Sequence, residues 1–181
     1  MRLPRRGWWR RLRHSRGFGI HSPSAYRFIR EVLCQRLAYY AYPEVDALAA
    51  GWPGGRSAAR VLFRIAACSR AARVYVGATP LADVAAAIVG LAAPRARLVR
   101  ELSQDASLLV FLSGDSSVDA AVKAALRGAT IVIPDRTCPF AAELLRRLRS
   151  DVRFGHIFVN GSGAAVFVGR DVPPEMFAVR F

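Results

Sequence analysis

The chain has 181 residues, with 27 Lys+Arg against 13 Asp+Glu, a formal charge of +14, 53% hydrophobic and 22% charged residues. That length suits one domain of ordinary size, and a chain this apolar offsets its ordering entropy by burial, which excludes global disorder. The most apolar stretch, Leu81 to Ala93, is too short to span a bilayer, and Arg95 and Arg97 follow it closely.

Residues 1–20 read as a basic arm in which Trp8 and Trp9 stand among Arg5, Arg6, Arg10, Arg11, Arg13 and Arg16. Residues 1–30 carry nine arginines and no acid, whereas residues 31–181 carry 18 basic and 13 acidic groups. Lys123 is the only lysine, a bias that genome composition explains as readily as selection for guanidinium chemistry. Residues 21–70 read as a helical extension. Ser22-Pro23 has the form of an N-cap with proline at the first helical position. Behind it Ile29, Leu33, Leu37 and Tyr40 fall at helical spacing and predict a helix from about Ser24 to Tyr40. Pro43 starts a short helical piece, Gly51 to Gly55 is a loop, and Val61, Leu62, Ile65 and Ala66 line a second amphipathic helix ending near Cys68.

Residues 71–181 carry the pattern of an α/β domain. Arg73 to Ala78, Ser107 to Leu112 and Ala129 to Ile133 are short apolar runs typical of strands covered on both faces. Between and after them Pro80 to Leu91, Val118 to Leu126 (closed by Gly128) and Phe140 to Leu148 read as helices. His156 to Asn160 and Ala164 to Val168 flank Gly161-Ser162-Gly163, a hairpin signal. The alternation implies right-handed crossovers and a parallel sheet of about five strands.

Cys34, Cys68 and Cys138 are odd in number and far apart, and His14, His21 and His156 are scattered. No zinc spacing exists, so no metal is expected, and the thiols read as buried and reduced. No Cys-His or Ser-His-Asp set can be argued, so no catalytic residue is assigned. The first residues lack the apolar core of a secretory signal, and a cytoplasmic protein is expected.

Gly17-Phe18-Gly19-Ile20-His21-Ser22-Pro23, then Tyr39-Tyr40-Ala41-Tyr42, then a helix leading into a strand, resembles a group of bacterial class I S-adenosylmethionine (SAM)-dependent methyltransferases. Those proteins carry a basic G-x-G-x-H-S-P leading segment. Gly163 to Phe167 and Phe177 to Phe181 look like that group's last strands. The resemblance implies a three-layer, Rossmann-like α/β methyltransferase fold, here with a truncated parallel sheet, a C-terminal hairpin and added N-terminal helices. It also implies SAM as the cofactor.

The departures fall where the cofactor would sit. The family's E-x-G-x-x-x-G turn after the first strand corresponds to Tyr75-Val76-Gly77-Ala78-Thr79-Pro80-Leu81, which keeps Gly77 alone, while Pro80 removes a backbone donor. Gly77, Ala78 and Thr79 therefore read either as a structural turn or as a SAM contact. The family also places a second strand, with a ribose-holding acid at its end, and a third strand before the fourth. Only about 15 residues separate Leu91 from Ser107. A strand over Ala96 to Glu101 would leave too short a link for a parallel crossover of roughly a dozen residues. The sequence thus predicts a helix over Arg95 to Gln104, with Leu98 and Leu102 on one side and Glu101 on its surface. Asp115 and Asp135 sit at strand carboxyl ends, where open α/β sheets bind ligands, yet Asp115 also suits a helix cap and Asp135 a turn.

Two functions remain in view. One is a methyltransferase-like protein with weak or lost methyl transfer, or a subunit whose pocket a protein partner completes. The other is a non-catalytic module whose arm binds a polyanion, either nucleic acid or an anionic membrane surface. None of the recognised nucleic-acid-reading signatures is present.

Overall fold

Short β-branched runs separated by alanine-rich helical stretches assemble as one α/β unit in the computed structural model, which describes residues 20–102, 106–111, 118–137, 139–161 and 163–181. Helix α1 (Pro23–Phe28) continues as a π-helical turn (Ile29–Leu33), then come α2 (Tyr42–Leu48) and α3 (Gly55–Ser69). The α/β part follows as β1 (Arg73–Val76), α4 (Ala82–Ala92), β2 (Arg97–Val99), β3 (Leu108–Val110), α5 (Val118–Ala125), β4 (Thr130–Ile133) and α6 (Pro139–Asp151). Strands β5 (His156–Val159), β6 (Ala165–Val168) and β7 (Glu175–Ala178) close the chain. The arm residues Arg5, Arg6, Trp8, Trp9, Arg10, Arg11 and Arg13 lie outside the described residues, as does Asp115.

The seven strands form one sheet in the order β2-β1-β3-β4-β6-β5-β7. Only β6 runs against its neighbours; the other pairings are parallel. The hairpin expected around residues 161–163 is the antiparallel β5–β6 pair. Strand period two divides the core cleanly. Val74, Val76, Leu108, Val110, Val132 and Phe158 face α1 to α4, so the N-terminal helices and the sheet share a single core. Tyr75, Leu109, Phe111, Ile131, Ile133 and Ile157 face α5 and α6 on the other side. The chain moves one way across the sheet over the first face (β1 to β2) and the opposite way over the second (β3 to β4). Its parallel crossovers therefore share one hand.

Strand β2 overturns the helix expected over Arg95 to Gln104 and raises the expected five strands to seven. Arg97, Leu98 and Val99 pair in register with Arg73, Val74 and Tyr75. The dozen-residue rule describes crossovers that carry a helix past strands of ordinary length. Here β2 and β3 flank β1 and each has three residues. The link must travel back about 10 Å and sideways about 10 Å, within reach of eight extended residues at about 26 Å. Leu102 and Ala106 pin this link to the second face. The i, i+4 relation of Leu98 and Leu102 is thus a coincidence of spacing; Leu98 is 40% exposed on the edge strand.

The N-terminal helix is also shorter than its apolar spacing suggests. Ile29 and Leu33 are buried, but Leu37 and Tyr40 are 69% and 89% exposed. What ends the helix is Arg64 of α3, a buried guanidinium that donates Nε to the Val32 carbonyl (2.5 Å), Nη2 to the Leu33 carbonyl (2.9 Å) and Nη1 to the Tyr42 hydroxyl (2.9 Å). Carbonyls at a helix end lack intrahelical partners and carry partial negative charge, so a cation there satisfies both needs. Arg60, one turn earlier, grips Asp46 of α2 with two bonds of 2.8 and 2.6 Å. At the other end of α1, Ser22 caps the helix by accepting from the Ala25 amide, and Ser22 and Ser24 each place Oγ 3.1 Å from Nε2 of His156. Phe28 stacks on Phe158 at 5.1 Å. Cys34 and Cys68 are not the buried thiols expected: Cys34 is half-buried and donates to the Arg180 carbonyl, and Cys68 is exposed, while Cys138 lies outside the described residues. No described helix is long and apolar enough to cross a membrane.

Three outcomes follow from this packing. Arg64→Ala strands two buried carbonyls and a hydroxyl and is expected to cost about 3 kcal/mol in urea unfolding. Arg64→Lys should fall between it and wild type, and an unchanged midpoint for the alanine variant would refute the role. Arg70 caps α3 in the left-handed region (φ 49°), so Arg70→Gly is expected to stabilise by about 1 kcal/mol. Burial holds the His156 imidazole below its ordinary range, and its buried Nδ1 has no hydrogen-bond partner among the described residues. The unfolded chain then takes up a proton near pH 6.5 while the folded chain does not, so stability present above that pH declines below it. His156→Gln should flatten that decline between about pH 7.5 and 5.5, by at most about 1.4 kcal/mol per pH unit.

Candidate functional site

In an open α/β sheet the ligand crevice lies beyond the strand carboxyl ends, and among the described residues the segments leaving β1 and β4 stand at that edge. Strand β1 ends in buried residues, and Gly77, also buried, extends the ladder by donating its amide to the Val110 carbonyl at 3.0 Å. Ala78 is exposed and Thr79 half-buried. Pro80 and Leu81 lead into α4, whose first turn is tied by the Ala82 amide to the Thr79 carbonyl at 2.9 Å. The Thr79 hydroxyl oxygen is buried with no hydrogen-bond partner among the described residues. Gly77 is not among the described glycines with positive φ, so its torsions do not call for glycine.

Asp135 leaves β4 two residues beyond Ile133 and accepts from the Thr137 amide at 2.9 Å and the Thr137 hydroxyl at 2.7 Å. Its carboxylate closes a turn, the reading its sequence context also allowed. Strand β3 separates β1 from β4, so Gly77 to Thr79 and Asp135 share the carboxyl edge but stand about 10 Å apart. The structure brings Gly77, Ala78 and Thr79 together in one turn and does not bring Asp135 to them.

Two residues without a sequence signal organise the far part of this edge. Arg136 donates Nη2 to the Asn160 carbonyl at 3.0 Å, while its buried Nε has no hydrogen-bond partner among the described residues. Asn160, itself buried, donates its side-chain amide to the Phe181 carbonyl. Between α3 and the sheet, Trp52, Val61, Val132, Pro134, Asn160 and Phe181 enclose a pocket of about 20 Å³. That is room for about one water molecule, and the lining is apolar apart from Asn160. Among the described residues no cluster of three His, Cys, Asp or Glu could hold a metal.

Strand β2 also relocates Glu101. It stands exposed two residues beyond Val99, past the carboxyl end of the strand next to β1, instead of on a helix surface. Arg100 between them donates to Asp83 of α4 at 2.6 Å, tying this strand end to the helix that follows β1. The signal that would have exposed the strand is the alternation of Ala96 and Leu98 against Val99, which is only three residues deep. No family model matches the chain, and no match was found among curated proteins or among solved structures.

Proposed function

We propose that this chain is a SAM-dependent methyltransferase-like protein in which methyl transfer is weak or lost. One observation carries the reading: only eight residues, 100–107, join β2 to β3. The family resemblance implies a third strand and two helices in that interval, and eight residues do not hold them. Within the short interval between Leu91 and Ser107, β2 is accommodated and the shortage falls on the link after it.

Part of a cofactor site is supported. The β1–Gly77–α4 unit has the strand–turn–helix form, the Thr79 hydroxyl has no hydrogen-bond partner among the described residues, and Glu101 follows the strand beside β1, where the resemblance implies a ribose-holding acid. The remainder does not fit an enclosed SAM. Leu81 stands where the turn's second glycine would be, Pro80 offers no amide, and Asp135 is committed to Thr137. Catalysis in such enzymes rests on holding both reactants in line, and a cofactor bound on one side only is poorly held.

Calorimetric titration with SAM and with its demethylated product tests the reading. The expected result is no saturable binding tighter than about 1 mM. Micromolar binding that Glu101→Ala removes would establish an intact cofactor site and overturn the degenerate assignment.

A further inference from the structure

We propose that the loop leading from α1 to α2, residues 36–40, is a membrane-interface anchor that seats Leu37 and Tyr40 among the headgroups and upper acyl chains of a bilayer. The inference is independent of the methyltransferase reading and of the basic arm.

Leu37 and Tyr40 are 69% and 89% exposed, more than any other large apolar side chain among the described residues. They stand three positions apart, so at most about 11 Å of chain separates them. A single exposed leucine or tyrosine is ordinary on a protein surface, but the two most exposed ones in one short loop form a patch.

The fold holds this loop out. Arg64 bonds to the Val32 and Leu33 carbonyls ahead of it and to the Tyr42 hydroxyl behind it. Between the two exposed side chains Tyr39 turns inward, its ring 5.2 Å from that of Tyr42 and 5.4 Å from that of Phe63. The Tyr39 carbonyl accepts from the Tyr42 amide at 3.1 Å. One guanidinium and one inward ring thus fix the loop on both sides, and Leu37 and Tyr40 are displayed from a preorganised backbone that has little ordering left to lose on binding.

The chemistry of the displayed groups selects the occupant. A tyrosine has an apolar ring and a polar tip and suits the headgroup level, while a leucine gains from the apolar layer beneath. Arg36 in the loop and Arg30 near the end of α1 are exposed and have no carboxylate partner among the described residues. Arginine meets phosphate with two bonds, and a formal charge of +14 draws the chain toward anionic lipid. Of the neighbouring acids, Glu31 lies 4.0 Å from Arg27, Asp46 is gripped by Arg60, and Glu44 is exposed in the first turn of α2. A stable protein partner would need about 800 Å² here, some 20 to 30 residues. The other exposed large apolar side chain described on α1 and α2, Tyr26 at 44%, lies two turns back from the end of α1. A nucleic acid would engage Tyr40 and Arg36 but leaves Leu37 without a role. The apolar face of α1 itself (Ala25, Phe28, Ile29 and Val32) is buried in the core, so the loop enters the bilayer and the helix does not.

Flotation of the full chain with phosphatidylcholine vesicles containing phosphatidylglycerol tests this. Leu37→Ala combined with Tyr40→Ala should weaken partitioning at least about tenfold, from the apolar area no longer withdrawn from water. Both side chains are exposed, so the thermal midpoint should hold, which separates a lost anchor from a damaged fold. Arg36→Gln should weaken partitioning about fivefold on these vesicles and less on phosphatidylcholine alone. Leu126→Ala, an exposed apolar side chain just past α5 on the other face of the sheet, should change nothing. Wild-type partitioning in the Leu37/Tyr40 variant would assign membrane binding to another part of the chain and overturn the proposal. So would absence of flotation at low salt, or a dimer in lipid-free solution that the same two substitutions dissolve.

Discussion

One buried guanidinium decides how the first third of the chain meets the rest. Arg64 lies among apolar side chains of α3, and an unpaired charge there would be costly. Its partners are not carboxylates but the carbonyls of Val32 and Leu33 and the hydroxyl of Tyr42. The helix must therefore stop where it does and α2 must pack where it does, or the charge is stranded. The same contacts place Phe28 on Phe158 and Ser22 on His156, so the N-terminal helices become one layer of the sheet's own core.

The parts of this fold that could be read from residues alone are those whose signal is local. The runs at β1, β3 and β4 are apolar at nearly every position because both faces of the sheet are covered, and they fold as expected. Gly128 ends α5, and Ser22-Pro23 starts α1, because capping is a matter of one or two residues. Strand β2 was hidden for a physical reason: a three-residue edge strand has too few positions for alternation to emerge against a chance helical spacing of leucines. The end of α1 was hidden because its cause lies more than thirty residues away, in Arg64.

The candidate site divides along the same line. Gly77 to Thr79 and Asp135 were placed at strand ends by neighbouring apolar runs, and they sit at strand ends. What Asp135 bonds to, and the burial of the Thr79 hydroxyl, depend on side-chain geometry that spacing does not report. Glu101 changes meaning with β2, from a helix-surface group to a carboxylate just past a strand beside β1. His156 looked isolated because its serine partners are 132 and 134 positions away.

The abbreviated link after β2 has a consequence for the sheet's flank. Among the described strands none lies beyond β2, so β2 is a terminal strand, and its outer amides and carbonyls are a template for joining another molecule. Two features blunt that hazard. The strand has only three residues, and exposed Arg97 stands at its start, so a second copy pairing there would set like charges together. The other flank is guarded differently, by Pro173 and Pro174 ahead of β7 and by Glu175 at its start. Both open margins of the sheet are thus built to discourage self-association.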